Sequence, residues 1–186
     1  MSSTPAAVSP AATYMIEPAH SSAHFKVRHL MIANVRGEFS KISGTVKIDP
    51  SNPAATSITA EIPVDSINTR EPDRDKHLKS ADFFDVEKFP TMSFKSTKVS
   101  TTGAGEGTVE GDLTIRDVTK SVVFQVEGPT APTKDPWGNL RVGVAATTKI
   151  SRKEFGLTWS APLEAGGVMI GDEVTITLEV EFVKAA

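Results

Sequence analysis

The chain contains no cysteine. That excludes disulfide bridges, a thiolate nucleophile and a thiolate metal site, and it leaves the compartment open. An excess of basic charge is also missing: 20 Lys and Arg stand against 23 Asp and Glu, a net charge of −3. Nucleic-acid binding needs a basic surface, so no such partner is expected. No apolar run is long enough to span a bilayer. The first residues, MSSTPAAVSPAATY, have neither a basic start nor an apolar stretch of leader length, which points to a cytoplasmic protein. Catalytic signatures are absent too. There is no G-x-S-x-G elbow and no phosphate loop ending in Gly-Lys-Ser/Thr. The GAGEG of 103–107 lies between strand-like runs with no helix to receive a phosphate, and reads as a turn. Asp73, Asp75 and Asp82 lack the central glycine and terminal glutamate of a calcium loop.

The chain has 186 residues, 39% hydrophobic and 23% charged, which suits one ordinary globular domain. Residues 1–12 are Ser, Thr, Pro and Ala without periodicity and read as a disordered tail; the domain occupies 13–186. From Tyr14 onward the dominant period is two. Phe25, Val27 and His29 share one face while His24, Lys26 and Arg28 share the other. LMIANVRGEF (30–39) reads as a turn or short helix entering a strand. Similar alternation recurs at Val46 and Ile48, at Met92 and Phe94, and through Val109, Leu113 and Ile115. It continues through Val122, Phe124 and Val126, through Leu140, Val142 and Val144, through Phe155, Leu157 and Trp159, and from Val174 to Phe182. Hairpin-scale loops separate these runs. The expected fold is all-β, an antiparallel sandwich or barrel of about eight strands. Few helices are available to cover a broad apolar sheet, and closing the sheet on itself removes its edges. A barrel of that size fills its interior or holds one small ligand.

One stretch breaks the pattern. In DSINTREPDRDKHLKSADFFDVEKFPTMSFK (65–95), Pro72 suits a first helical position. Asp73 and Asp75 then fall in the first turn and Lys76, His77 and Lys79 in the last, as the helix dipole favours. Ser80 can cap a second short turn over Ala81–Phe84 before Pro90. The insert reads first as a plug for a barrel end. Arg74 and His77, three apart, would share a helix face. Of the four histidines, His20 and His24 face away from His29, so no metal site is expected.

Four segments together resemble the YceI-like family of polyisoprenoid-binding, lipocalin-like proteins: HSSAHFKVRHLMIANVRGEFSKISGTV (20–46), SINTREPDRDKHLKSADFFDVEKFPTMSF (66–94), VEGDLTIRDVTKSVVF (109–124) and ISRKEFGLTWSAPLEAGGVMIGDEVTITLEVE (150–181). Asp117, Ser121 and Glu17 depart from the family pattern of glycine, proline and aspartate at those places. The resemblance implies an extended antiparallel barrel with a long apolar cavity for an isoprenoid chain, no established catalysis, no cofactor beyond the lipid, and often a homodimer. The expected function is therefore a lipid-binding protein holding a prenyl phosphate or isoprenoid quinone for sequestration or transport. An enzyme acting on such a lipid, with His29 and His77 as its polar groups, is one alternative. A structural stress-response domain with a filled core is another. Tail contacts are expected from the inward residues Phe25, Val27, Phe94, Leu113, Phe124, Leu157, Trp159 and Leu178. Strand parity alone does not separate a cavity wall from packed core. A charged head group needs donors at the opening, where Arg70, Arg74, His77 and His29 are the candidates.

Overall fold

The computed structural model describes residues 11–186. Residues 1–10, most of the expected tail, lie outside the described residues. Ala12, assigned to that tail, is instead the first residue of a strand.

The strands are β1 (Ala12–Ile16), β2 (Ser22–His29), β3 (Ala33–Phe39), β4 (Ser43–Ile48), β5 (Ser57–Pro63) and β6 (Ile67–Asn68). After the helix α1 (Pro72–Lys79) come β7 (Thr91–Gly103), β8 (Glu106–Ile115), β9 (Val118–Glu127), β10 (Thr133–Lys134), β11 (Leu140–Ser151) and β12 (Ile170–Lys184). All pairings between strands are antiparallel. The order β11-β9-β8-β7-β5-β4-β1-β12 closes when β12 pairs back onto β11, from Arg141 opposite Val183 to Ser151 opposite Glu173. Eight strands thus complete the ring, as the period-two runs require. The other edge of β12 is shared. Its last residues pair with β1, and its first part pairs with β2, from which β3 and β6 extend the wall.

The turns follow local chemistry. Ala104 and Gly105 both take positive φ in the β7–β8 hairpin, the conformation of a tight two-residue turn. Arg116 and Asp117 make the equally short β8–β9 turn, so the unusual Asp117 and Ser121 leave that hairpin in register. Segment 30–32 is a turn, with Leu30 and Met31 both at positive φ, and no helix forms there.

One strand expectation needs correction. Phe155, Leu157 and Trp159 alternate inward, but the FGLTWSA segment joins no ladder. It belongs to an excursion over 152–169 that starts with a 3-10 turn at Lys153–Phe155. Any extended backbone has period two, and here side-chain hydrogen bonds replace the strand partner.

The core forms two clusters, one toward each end. One gathers Phe39, Val64, Ile67, Phe83, Ile115, Phe155 and Leu157 beneath the insert. The other gathers Tyr14, Ile16, Ile42, Val46, Val142, Val180 and Phe182. Leu178 and Ile62 touch both.

Candidate functional site: an apolar tunnel

The interior between the two clusters is hollow. A cavity of about 840 Å³ runs the length of the barrel, with an overwhelmingly apolar lining. On β12 its wall includes Ile170 at one end and Phe182 at the other. That run measures roughly 40 Å along a strand at about 3.3 Å per residue. With strands tilted about 40°, the tunnel is on the order of 30 Å long.

Two close approaches keep the tunnel open. A Cβ added to Gly37 would lie 2.4 Å from Cζ of Phe25, its cross-strand partner, and one on Gly111 would lie 2.4 Å from Cζ of Phe94. Each ring therefore lies flat over a glycine on the neighbouring strand. The aromatics become wall; with a side chain beneath them they would stand across the lumen.

All eight residues expected to contact a tail line this cavity. They divide by packing. Phe124 and Leu157 are buried among neighbours and serve chiefly as wall structure. Phe25, Val27, Phe94, Leu113, Trp159 and Leu178 are only half-buried although they point inward. Their remaining exposure is to the lumen. The filled interior of one sequence-based alternative is not what forms.

The polar groups concentrate at the ends. At the insert end the lining includes Arg74, His77 and His29. α1 begins at Pro72, with Asp73 and Asp75 in its first turn as the dipole predicts. Its anchor is Thr69, only 3% exposed. The Thr69 N–H and hydroxyl both donate to Asp75 Oδ1, at 2.9 and 2.5 Å. Arg74 donates from Nε to Thr69 Oγ1 and from Nη2 to the Thr69 carbonyl, both at 2.8 Å. Arg74 was expected to meet a head group, and part of its fork is spent on Thr69. The exposed Arg74 side chain borders the bore, and Nη1 donates to no partner among the described residues. His77 Nε2 sits 2.8 Å from Asp82 Oδ2, and its ring stands edge-on to Trp159 at 4.7 Å and Phe83 at 5.1 Å. Arg70, the fourth cation considered, lies outside the tunnel on a shallow neighbouring surface.

The residue that sequence reasoning missed is Arg152. Its side chain is buried and donates to four backbone carbonyls: Gly171 at 2.8 Å, Leu157 at 2.6 Å, Trp159 at 2.8 Å and Ile170 at 3.2 Å. Burial lowers its pKa, and the nearby Asp172 carboxylate partly offsets that. Arg152 thus replaces the missing strand partner of 157–159 and fixes Trp159 in the tunnel wall. The available signal was an arginine at the inward parity of Ile150.

The opposite end is acidic by comparison, with Asp49 and Glu106 in the lining beside Pro50 and Pro53. Outside the barrel, Glu17, His20 and Glu181 come together and Arg141 bridges Glu181 to Asp135. The His20 hydrogen bond lowers the Glu17 pKa. Arg141 already engages Glu181, and this cluster ties β1, β11 and β12 together at the seam.

A closed antiparallel barrel around a long apolar bore defines a class: lipid-binding barrels of the lipocalin-like kind. The particular family follows from the comparisons. Residues 14–182 match the YceI-like domain, and the chain belongs to that family. It is 42% identical over 149 residues to a UPF0312 protein of Vibrio cholerae, covering 79% of this chain and 78% of that one. It is 36% identical over 170 residues to a UPF0312 protein of Staphylococcus aureus, covering 91% and 96%. Among solved structures, the YCEI protein of Campylobacter jejuni superposes with a TM-score of 0.71 at 30% identity, covering 86% of this chain and 90% of that one. A polyisoprenoid binding domain from Saccharophagus degradans shares the fold, with a TM-score of 0.65 at 15% identity over 92% and 98%. Among the described residues, no helix is long and apolar enough to cross a membrane.

Proposed function

We propose that the protein holds one polyisoprenoid molecule, of prenyl phosphate or isoprenoid quinone type, in its tunnel for sequestration or transport, with no cofactor besides that lipid. The observation that carries this reading is the bore itself: about 840 Å³, apolar throughout its middle, with polar groups at its ends. The Saccharophagus domain of the same fold is described as polyisoprenoid binding, and the shape and lining of this bore suit the same ligand class. Chain in the middle and head group at the Arg74–His77–His29 end is the arrangement that leaves no charge unpaired in apolar surroundings. The alternative of catalysis needs a reacting constellation, and His77 Nε2 is engaged by Asp82 while the Ser80 hydroxyl donates to the His77 carbonyl rather than to its ring.

Energetics set what such a tunnel selects. Each buried methylene gains about 0.8 kcal/mol, so a five-carbon unit gains about 4 kcal/mol gross. About five units would already reach the limit of observed affinities, near 20 kcal/mol. Ordering and desolvation offset most of this gain. Affinity therefore levels off with chain length, and discrimination comes from the tunnel's length and its head-group end.

Trp159 in the wall reports occupancy. In a Trp137→Phe protein, which removes the exposed tryptophan outside the tunnel, isoprenoid quinones should quench Trp159 saturably at one per chain. Affinity should rise with tail length and then level off. Absence of saturable quenching by any long-tailed quinone, together with no binding of prenyl phosphates in equilibrium dialysis, would overturn the reading.

A further inference from the structure

The hairpin joining β2 to β3 carries features that the tunnel does not use. Its tip exposes Met31 at 54% and Ile32 at 76%. Val168, 37% exposed, lies nearby on the adjoining excursion, where Gly167 approaches the Met31 side chain. The tip is held firmly. Leu30 N–H donates to the Met169 carbonyl at 2.8 Å, Ile32 N–H to the His29 carbonyl at 3.1 Å, and Arg28 Nη2 to the Met31 carbonyl at 3.0 Å. Leu30 and Met31 both stay at positive φ, at 50° and 63°, which non-glycine residues adopt only when their surroundings impose it. Two large apolar side chains are thus presented to solvent by a braced turn.

Behind the tip the outer face of the hairpin is basic. Lys26 stands directly opposite Arg36 across the ladder, and Arg28 follows toward the tip. Like charges placed opposite one another on a sheet destabilise it. Among the described residues, none of these three forms an ion pair with a carboxylate. The protein as a whole is acidic, at −3, so this basic face is a local feature; Arg28 braces the turn, but no carboxylate balances the three charges among the described residues. The mouth of the tunnel adjoins the same hairpin, since His29, Met169 and Ile170 line the bore.

We propose that the β2–β3 hairpin is a docking tip that seats the tunnel mouth on an anionic lipid bilayer. Met31 and Ile32 enter the interfacial layer, where apolar side chains leave water. Lys26, Arg28 and Arg36 lie over the phosphates and supply the counter-charge that the fold leaves unmatched. Docking places the bore where long apolar lipids reside, so a ligand can pass between bilayer and tunnel without crossing water. This inference rests on the tunnel being a lipid site, but the surface and the bore are tested separately.

The test is co-flotation of the full chain with phosphatidylcholine vesicles, with and without phosphatidylglycerol, at low and high salt. The chain should bind the anionic vesicles, and salt should weaken the binding. Lys26→Gln/Arg28→Gln/Arg36→Gln should lower partitioning by on the order of a hundredfold. Met31→Ser/Ile32→Ser should lower it at least about tenfold. Trp137→Ser, which removes a large apolar residue 81% exposed away from the hairpin, should leave it unchanged. Arg36→Gln alone should keep or raise the melting temperature while docking falls, because it relieves the Lys26 repulsion. Quenching of Trp159 by a detergent-dispersed quinone should be unaffected in Met31→Ser/Ile32→Ser and in Lys26→Gln/Arg36→Gln, whose residues lie outside the bore lining. Failure of the wild-type chain to float with anionic vesicles would overturn the docking tip, as would tip variants that float like wild type or loss of flotation confined to Trp137→Ser. Flotation that depends on the tip in a chain that takes up no quinone would support docking and overturn the tunnel's proposed ligand.

Discussion

Replacing Arg152 by methionine removes the brace of the excursion that closes the insert end. The change keeps an unbranched apolar stem, removes the guanidinium, and leaves the carbonyls of Gly171, Leu157, Trp159 and Ile170 without that donor. An unsatisfied buried acceptor costs about 1–3 kcal/mol. Relief from burying the guanidinium charge offsets part of the total. A net loss of about 4 kcal/mol follows from the two together. For a chain of this size 1 kcal/mol shifts the melting temperature by about 2–4 °C, so the midpoint should fall by roughly 8–16 °C. Arg152→Lys should recover only part, because an ammonium presents its donors from one point and cannot span four carbonyls. Thermal unfolding followed by circular dichroism measures both. A drop under about 2 °C for Arg152→Met would refute the brace, since less than one carbonyl's cost would then have been lost.

Gly37→Ala should lift the Phe25 ring off its glycine and into the lumen; quinone affinity should fall more than tenfold while the far-UV spectrum is kept, and unchanged affinity would show that the ring has room elsewhere. Arg74→Ala and His77→Ala, singly and together, should weaken a prenyl phosphate selectively over a neutral quinone of equal length in equilibrium binding; equal loss of both ligands would assign the pair to holding the insert. The third concerns acid. Burial raises the Asp135 pKa, but hydrogen bonds from Arg141, the Asn139 side chain and the Asn139 and Trp137 backbone outweigh it and hold the carboxyl well below the usual carboxylate range. A folded pKa below the unfolded value of about 3.9 gives stability that is present above that pH and lost as pH falls toward the folded value. In urea unfolding, the deficit of Asp135→Asn relative to wild type should therefore be full at neutral pH and shrink below about pH 4; a deficit independent of pH would contradict this.

Much of the fold was legible because parity in a one-faced strand is strict. Val174, Ile176, Leu178, Val180 and Phe182 read inward and are inward. The helix at 72–79 was legible from Pro72 and its flanking charges. The emptiness of the barrel was not. Phe94 has the same parity in a packed core as in a tunnel wall, and only the register that lays it over Gly111 distinguishes them. The Arg74–His77 face was readable from spacing, whereas the Thr69 anchor depends on the three-dimensional path of β6 past the helix. FGLTWSA misled as a strand because its alternation is real while its hydrogen bonds go to Arg152.

The central claim is that the bore carries an isoprenoid chain. Solvent extraction of the purified protein, followed by mass spectrometry and quantitation against protein, tests it most directly. The account predicts a polyprenyl lipid at up to one per chain, with little or none from a Gly37→Ala protein whose bore is obstructed. Extracts of folded wild-type protein that hold no polyprenyl species, or equal amounts from both proteins, would contradict it.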